Sequence, residues 1–400
     1  MTVQLYSVPE RIQEMISKYQ TEYNVQTPHQ NTRHVLAKRA TFPEYLDQHQ
    51  HQDLTKEQVL GEKQTSHVVK RSGGADKYVE TALFMDSEAY GMYFDYFTDV
   101  GYSNPDQRII HLLLAFMNSI QAIYNFESLG TKVDFSLVKL DIHKTPQFDD
   151  KDGDRAPMLT SFCKYQGKEN PGNDADPRHW DIALLVSGVD FWAADGSGKR
   201  SYLTMGLSTV TGVCTKMYGC VIGEMGVRNQ NDKPYPSTGF TSVYVMAHEI
   251  GHNLGMSHDS SNNACPSNGY IMSPSRGTKG ETVWSECSRR FMASLDEDCL
   301  TDTPAVQSGD QDHEVYGNYP GQNKEWDGDA QCQLLMFSPD ARLDHTMADI
   351  QDICFSLKCR APGRRGYYRA GPALEGTPCG TNKICHEGES SYMRYDIMTV

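Results

Sequence analysis

The chain has 400 residues, enough for two or three domains and a sizeable core, and carries 37 Lys and Arg against 52 Asp and Glu, a formal net charge of −15. That acidic balance argues against a nucleic-acid partner and against an anionic membrane surface. The longest apolar stretch, residues 111–126, is interrupted by Asn118, Ser119 and Gln121, so no membrane span is expected.

Residues 1–71 are rich in Gln, His and charge and poor in apolar repeats, a composition unsuited to a packed domain. The first residues, MTVQLYSVPERIQ, lack a hydrophobic leader core, and a missing start of the chain is the expectation. Two dibasic pairs stand here, Lys38-Arg39 and Lys70-Arg71; the second precedes Ser72-Gly73-Gly74 and offers a cleavage point after Arg71, though without the upstream Arg of a furin-like site.

From Tyr78 the pattern changes. YVETALFMD reads as a short β-rich run, and Ser103-Asn104-Pro105 opens a long helix whose Ile109, Leu112, Leu113, Phe116, Ile120 and Ile123 recur at helical steps, with Gly130 past its end. Val133 to Ile142 alternates as a strand, and Asp181 to Ser187 reads as a buried one. Strands alternating with helices predict an α/β fold with a mixed, mostly parallel sheet carrying helices on its faces.

The stretch from Ser242 to Asp259, SVYVMAHEIGHNLGMSHD, carries the chemistry. On a helix His248 and His252 leave the same face one turn apart, whereas Glu249 leaves about 100° further round, beside that pair and not within it. Gly255 can take a left-handed conformation, end the helix and swing the chain back, so that His258 supplies a third nitrogen. Three neutral imidazoles with an open fourth position describe a catalytic zinc site, because a structural site would fill that position with Cys or His. The expected reaction is amide hydrolysis by zinc-bound water, with Glu249 moving the proton. Met272, in YIMSPS, is placed to lie in a tight turn under the metal.

HEIGHNLGMSHD resembles the adamalysin (reprolysin) branch of the metzincins. RHWDIALLVSG (Arg178 to Gly188), YIMSPS, WSECSRRF (Trp284 to Phe291) and CLTD (Cys299 to Asp302) are similar to the ADAMTS group within it. The resemblance implies a partial propeptide at 1–71, a metzincin catalytic domain at 72–303, a linker at 304–319 and a partial disintegrin-like domain at 320–400. It implies secretion, and as partner a protein substrate of the extracellular matrix or cell surface, lying antiparallel along an edge strand in Met205 to Gly212. It also implies calcium as a second metal, held by Glu80, Asp181, the carbonyl of Cys299 and Asp302, all hard oxygen donors. The loop from Arg228 to Phe240 looks longer than its counterpart in the group and would sit near the cleft.

Eleven cysteines, none at CxxC spacing, read as disulfides and an oxidising compartment. The resemblance pairs Cys163 with Cys220, Cys214 with Cys299 and Cys265 with Cys287. The five after Asp302 are an odd number, and Ser390 stands where the group has a Cys, so one free or intermolecular thiol is expected, as from a truncated or alternatively ended product. Two other readings compete: a non-catalytic binding protein that keeps the fold as scaffold, against which Glu249 argues, and a zymogen active only after a cut near Arg71.

Overall fold

The computed structural model describes residues 77–148, 152–227, 237–274, 281–301, 320–344, 353–363, 366–369 and 371–392. Both dibasic pairs, residues 228–236 of the long loop, Asp302 and the 304–319 segment lie outside them.

Strand β1 (Lys77–Met85) leads into α1 (Ser87–Val100), α2 (Pro105–Tyr124), β2 (Val133–Ile142), α3 (Arg155–Glu169) and β3 (Ile182–Ser187). A short hairpin, β4 (Ala193–Ala194) and β5 (Arg200–Ser201), precedes β6 (Gly206–Ser208) and β7 (Cys220–Glu224). The sheet order is β2-β1-β3-β7-β6, parallel throughout except β6, which runs antiparallel to β7 at the edge. The remaining helices of this part are α4 (Ser242–Leu254) and α5 (Glu286–Ser294).

The sheet is covered on both faces: β3 and β7 are buried at every residue and β1 from Val79 to Met85, while the edge strand β2 alternates, and the period of two sorts the side chains. Val79, Leu83 and Met85 of β1 join Ile182, Leu184 and Val186 of β3 in the core under α1, α2 and α4. Ala82, Phe84, Ala183 and Leu185 face the other way, onto Met158, Leu159 and Phe162 of α3. The six α2 residues named from the sequence are buried as their spacing requires. The helix nevertheless stops at Tyr124, capped by Asn125, and the chain turns through Phe126 and Leu129 before Gly130, so the glycine ends the turn and not the helix.

Helices α1 and α3 have no counterpart among the elements expected from the sequence. Asp86 caps α1 by accepting the Ala89 N–H at 2.8 Å, and Gly101 closes it at φ 92°. Cys163–Cys220 ties α3 to β7, Cys214–Cys299 ties the segment after β6 to the turn at 298–300, and Cys265–Cys287 anchors α5.

A second module follows, built on α6 (Gly328–Met336) and two small sheets. The first sheet is β8 (Arg342–Leu343), β9 (Lys358–Arg360) and β10 (Tyr368–Arg369); the second is β11 (Pro378–Gly380), β12 (Lys383–His386) and β13 (Glu389–Tyr392). Cys332–Cys359 and Cys354–Cys385 staple it. Cys379 is free and buried, its Sγ 3.2 Å from Ser390 Oγ. The module docks through the fully buried Trp326, whose ring meets Phe240 edge-on at 5.1 Å while the Arg108 guanidinium lies 4.1 Å from its centroid. Arg108 also pairs with Glu325, which His111 Nδ1 approaches to 3.1 Å. No helix among the described residues is long and apolar enough to cross a membrane.

Candidate metal centre

Helix α4 is buried along almost its whole length between the sheet and α2, where the Tyr124 hydroxyl donates to the Ala247 carbonyl at 2.9 Å. It ends at Gly255, with φ 115°; Gly255 N–H reaches back to Gly251 and His252, and Met256 N–H to Gly251 at 2.8 Å. Only glycine fits here twice over, since a Cβ would also stand 2.9 Å from the Phe291 ring. The reversal delivers His258 to the two helical histidines. His258 Nε2 lies 3.1 Å from His248 Nε2 and 3.0 Å from His252 Nε2.

The protons are assigned by the other ring nitrogens. His248 Nδ1 is 2.6 Å from the Ile271 carbonyl and His252 Nδ1 2.8 Å from the Met256 carbonyl; a carbonyl only accepts, so both Nδ1 atoms carry hydrogen. With the hydrogen on Nδ1, the neutral form of each ring has its lone pair on Nε2, and both Nε2 atoms face that of His258. Burial and the neighbouring imidazoles hold His252 well below its ordinary range, and burial brings His258 down to about 4. Converging lone pairs on neutral imidazoles repel one another and fit a cation, and the all-nitrogen set suits zinc.

Glu249 is buried beside this cluster, and its Oε2 has no hydrogen-bond partner among the described residues. Burial pushes its carboxyl up to about 8, against a small opposing pull from Arg155. Gly206 of β6 makes room for it: a Cβ there would stand 2.7 Å from Glu249 Cγ. Met272 lies in the turn after the third histidine with its sulfur under Gly251, 2.7 Å from where a Cβ would be. Its carbonyl accepts the Asp259 N–H at 2.8 Å, and the Asp259 carboxylate accepts the hydroxyl of Ser285, the cap of α5, at 2.6 Å.

Three residues shape the site without any signal in the motif. Gly206 is one. Asn253 is another: its amide donates to the carbonyls of Thr209 and Tyr218 at 3.0 Å each, fixing the end of α4 to the chain after β6. Glu224, at the end of β7, is the third. It accepts the Phe191 N–H and the Ser237 hydroxyl at 2.7 Å each, and so anchors the segment entering α4.

Burial raises the Glu224 carboxyl from 4.5 to about 8. A carboxyl raised in the folded state gives stability present below its unfolded value and lost as pH climbs to the folded one. Glu224→Gln keeps an acceptor for Phe191 and removes that loss. The variant's unfolding free energy should exceed that of the parent by a margin that widens between pH 5 and 8 to roughly 2–4 kcal/mol, read from denaturant melts across that range. A constant difference would contradict the assignment.

Of the calcium candidates, Glu80 and Asp181 are joined: Glu80 N–H donates to Asp181 Oδ2 at 2.8 Å, and Asp181 N–H to the Glu80 carbonyl at 2.9 Å. Sulfur of Cys299 lies within 4.8 Å of the Asp181 carboxylate. Asp302 is outside the described residues.

Fold and site together define a zinc metalloprotease of the metzincin kind, with two histidines on one helix face and a glycine turn bringing the third beside them. The chain belongs to the reprolysin (M12B) family of zinc metalloproteases, whose family profile matches residues 77–304; residues 320–390 match ADAMTS cysteine-rich domain 2. It is similar to A disintegrin and metalloproteinase with thrombospondin motifs adt-1 of Caenorhabditis elegans, 29% identical over 338 residues, covering 80% of this chain and 21% of that protein. A disintegrin and metalloproteinase with thrombospondin motifs 7 of Mus musculus is 30% identical over 332 residues, covering 80% of this chain and 18% of that protein. Mouse number 18 is 31% identical over 288 residues, covering 69% and 21%. The chain thus spans about a fifth of the length of these relatives.

Proposed function

We propose that the protein is a secreted zinc-dependent endopeptidase that hydrolyses peptide bonds of extracellular matrix or cell-surface proteins. The observation that carries this reading is the convergence of three imidazole nitrogens beside a buried carboxylate oxygen left without a protein partner. His248, His252 and His258 would hold zinc, which supplies an acidified water and a Lewis acid for the substrate carbonyl. Glu249 Oε2 takes the proton from water and returns it to the departing amine. A carboxyl raised towards neutrality by burial is suited to both transfers.

β6 pairs with β7 on one side only, so an extended peptide can add to its other edge through backbone hydrogen bonds that are indifferent to side chains. Gly206 keeps the Glu249 side of that edge low. The loop from Arg228 to Phe240 would tune selectivity. Calcium at Glu80, Asp181, the Cys299 carbonyl and Asp302 would bind the two ends of the catalytic domain together without entering the chemistry. Cleavage after Arg71 would separate 1–71 from that domain, and 320–400 would assist substrate binding as a disintegrin-like module.

The test is to incubate solubilised matrix proteins with the chain from Ser72 onward and to label newly formed N-termini. Cuts that vanish with Glu249→Ala and with a zinc chelator support the reading. A folded, zinc-loaded protein that makes no cuts overturns it.

A further inference from the structure

The hairpin turn between β12 and β13 touches the catalytic domain directly behind the turn that carries Met272. Glu387 Oε1 accepts the N–H of Glu127 at 2.6 Å, and its carbonyl accepts the Thr282 hydroxyl at 3.4 Å. Its own N–H donates to both oxygens of the buried Glu375, at 3.0 and 3.2 Å, so the turn is fixed from within its own module. Gly388 follows at φ 77°, pressed so closely on the catalytic domain that a Cβ would stand 2.0 Å from Thr282 Oγ1.

The contact continues inward. One residue beyond Thr282, the Val283 carbonyl accepts the Ile271 N–H at 2.9 Å, and the Ile271 carbonyl is the group that holds His248 Nδ1 at 2.6 Å. Trp284 N–H donates to Ser128 Oγ at 3.2 Å, joining this strip to the same turn that Glu387 grips at Glu127. His248 is also the most exposed of the three histidines.

We infer that Glu387 is a positioning residue for the metal centre: gripping Glu127 and Thr282, it sets the 282–284 strip, and through Val283 and Ile271 the orientation of the His248 imidazole. The groups that orient a ligand's far nitrogen govern metal affinity as well as geometry. The Cys354–Cys385 bond ties the strand that enters this turn, two residues before Glu387, to the rest of the second module. The second module is then part of the zinc site's scaffold as well as a neighbour of the cleft.

The inference rests on the zinc-site reading but is tested on the metal, apart from peptidase activity. In the full chain, zinc release to a chromogenic chelator and the visible absorption of the cobalt(II)-substituted protein are compared among the parent, Glu387→Ala, Glu387→Gln and Thr282→Val. Glu387→Ala should release zinc about fivefold to tenfold faster and alter the cobalt band, an effect at the low end for an outer-shell partner. Where cleavage is measured, kcat should fall with KM unchanged. Glu387→Gln, which keeps an acceptor for the Glu127 N–H, should stay within about twofold of the parent. Thr282→Val replaces the hydroxyl by a methyl group of nearly the same size, and should move both readouts in the direction of Glu387→Ala; it serves also if Glu387→Ala fails to fold. Parent-like zinc release and cobalt absorption in folded Glu387→Ala or Thr282→Val would overturn the inference, as would a loss in Glu387→Gln equal to that in Glu387→Ala.

Discussion

Glu249→Gln should lower peptide cleavage by about a thousandfold to ten-thousandfold while the protein keeps its zinc, since a positioned acid–base group contributes rate on that scale. The separation of effects follows from position: Glu249 leaves α4 beside the histidine pair, and its Oε2 is the oxygen without a protein partner. The amide fills nearly the same volume against Gly206, so the fold has no steric reason to change. It cannot take a proton from water. Metal-free protein gives a second readout. Burial lifts the Glu249 carboxyl from 4.5 to about 8, so its contribution to folding is full below pH 4.5 and is lost as pH rises through about 8. Metal-free Glu249→Gln should therefore melt above the metal-free parent at pH 8, with the gap closing towards pH 4.5. Zinc content by atomic emission, steady-state rates and paired melts check all three statements. Loss of zinc from the variant would mean that Glu249 helps to hold the metal.

His252→Ala should fail differently. His252 is fully buried, its Nδ1 hydrogen spent on the Met256 carbonyl and its Nε2 directed at His258. Removing it takes away one nitrogen of three, a larger change than loss of an orienting partner, and should weaken zinc binding by more than about a hundredfold. It also leaves the Met256 carbonyl without its donor and opens a cavity at the end of α4, at a cost of about 2–4 kcal/mol in the metal-free protein. Equilibrium zinc titration and a melt of the metal-free form separate the two losses. A variant that binds zinc as the parent does would remove His252 from the site.

How much of this could be read in the sequence depended on how local the cause was. The six apolar positions of α2 repeat within one helix, and β3 is an unbroken apolar run, so both are visible in their own residues. The three histidines and Gly255 are equally local, because one helical turn and one left-handed residue bring them together. Helix α1 was hidden because its buried Tyr93, Tyr96 and Phe97 are interleaved with acidic residues, although Asp86 and Gly101 were usable cap signals. Helix α3 buries a mixed set, including Gln166 and Gly167, with little periodicity to find. Gly206, Asn253, Glu224 and Glu387 act on partners far along the chain, and only the folded sheet or the docked second module brings those partners into range. Ser390 is an intermediate case: the odd cysteine count announced a free thiol, while the fold identified it as Cys379 with Ser390 at its side.

Whether the three histidines form a catalytic zinc site is measured most directly by a zinc titration of the metal-stripped chain from Ser72 onward, following bound metal and peptide cleavage in the same samples. Activity should rise in proportion to zinc and level off at about one equivalent, as a single three-histidine site requires. Glu249→Gln should take up the same equivalent and remain inactive. Activity that persists in the stripped protein, or zinc that binds fully without any cleavage by the parent, would contradict a catalytic zinc site.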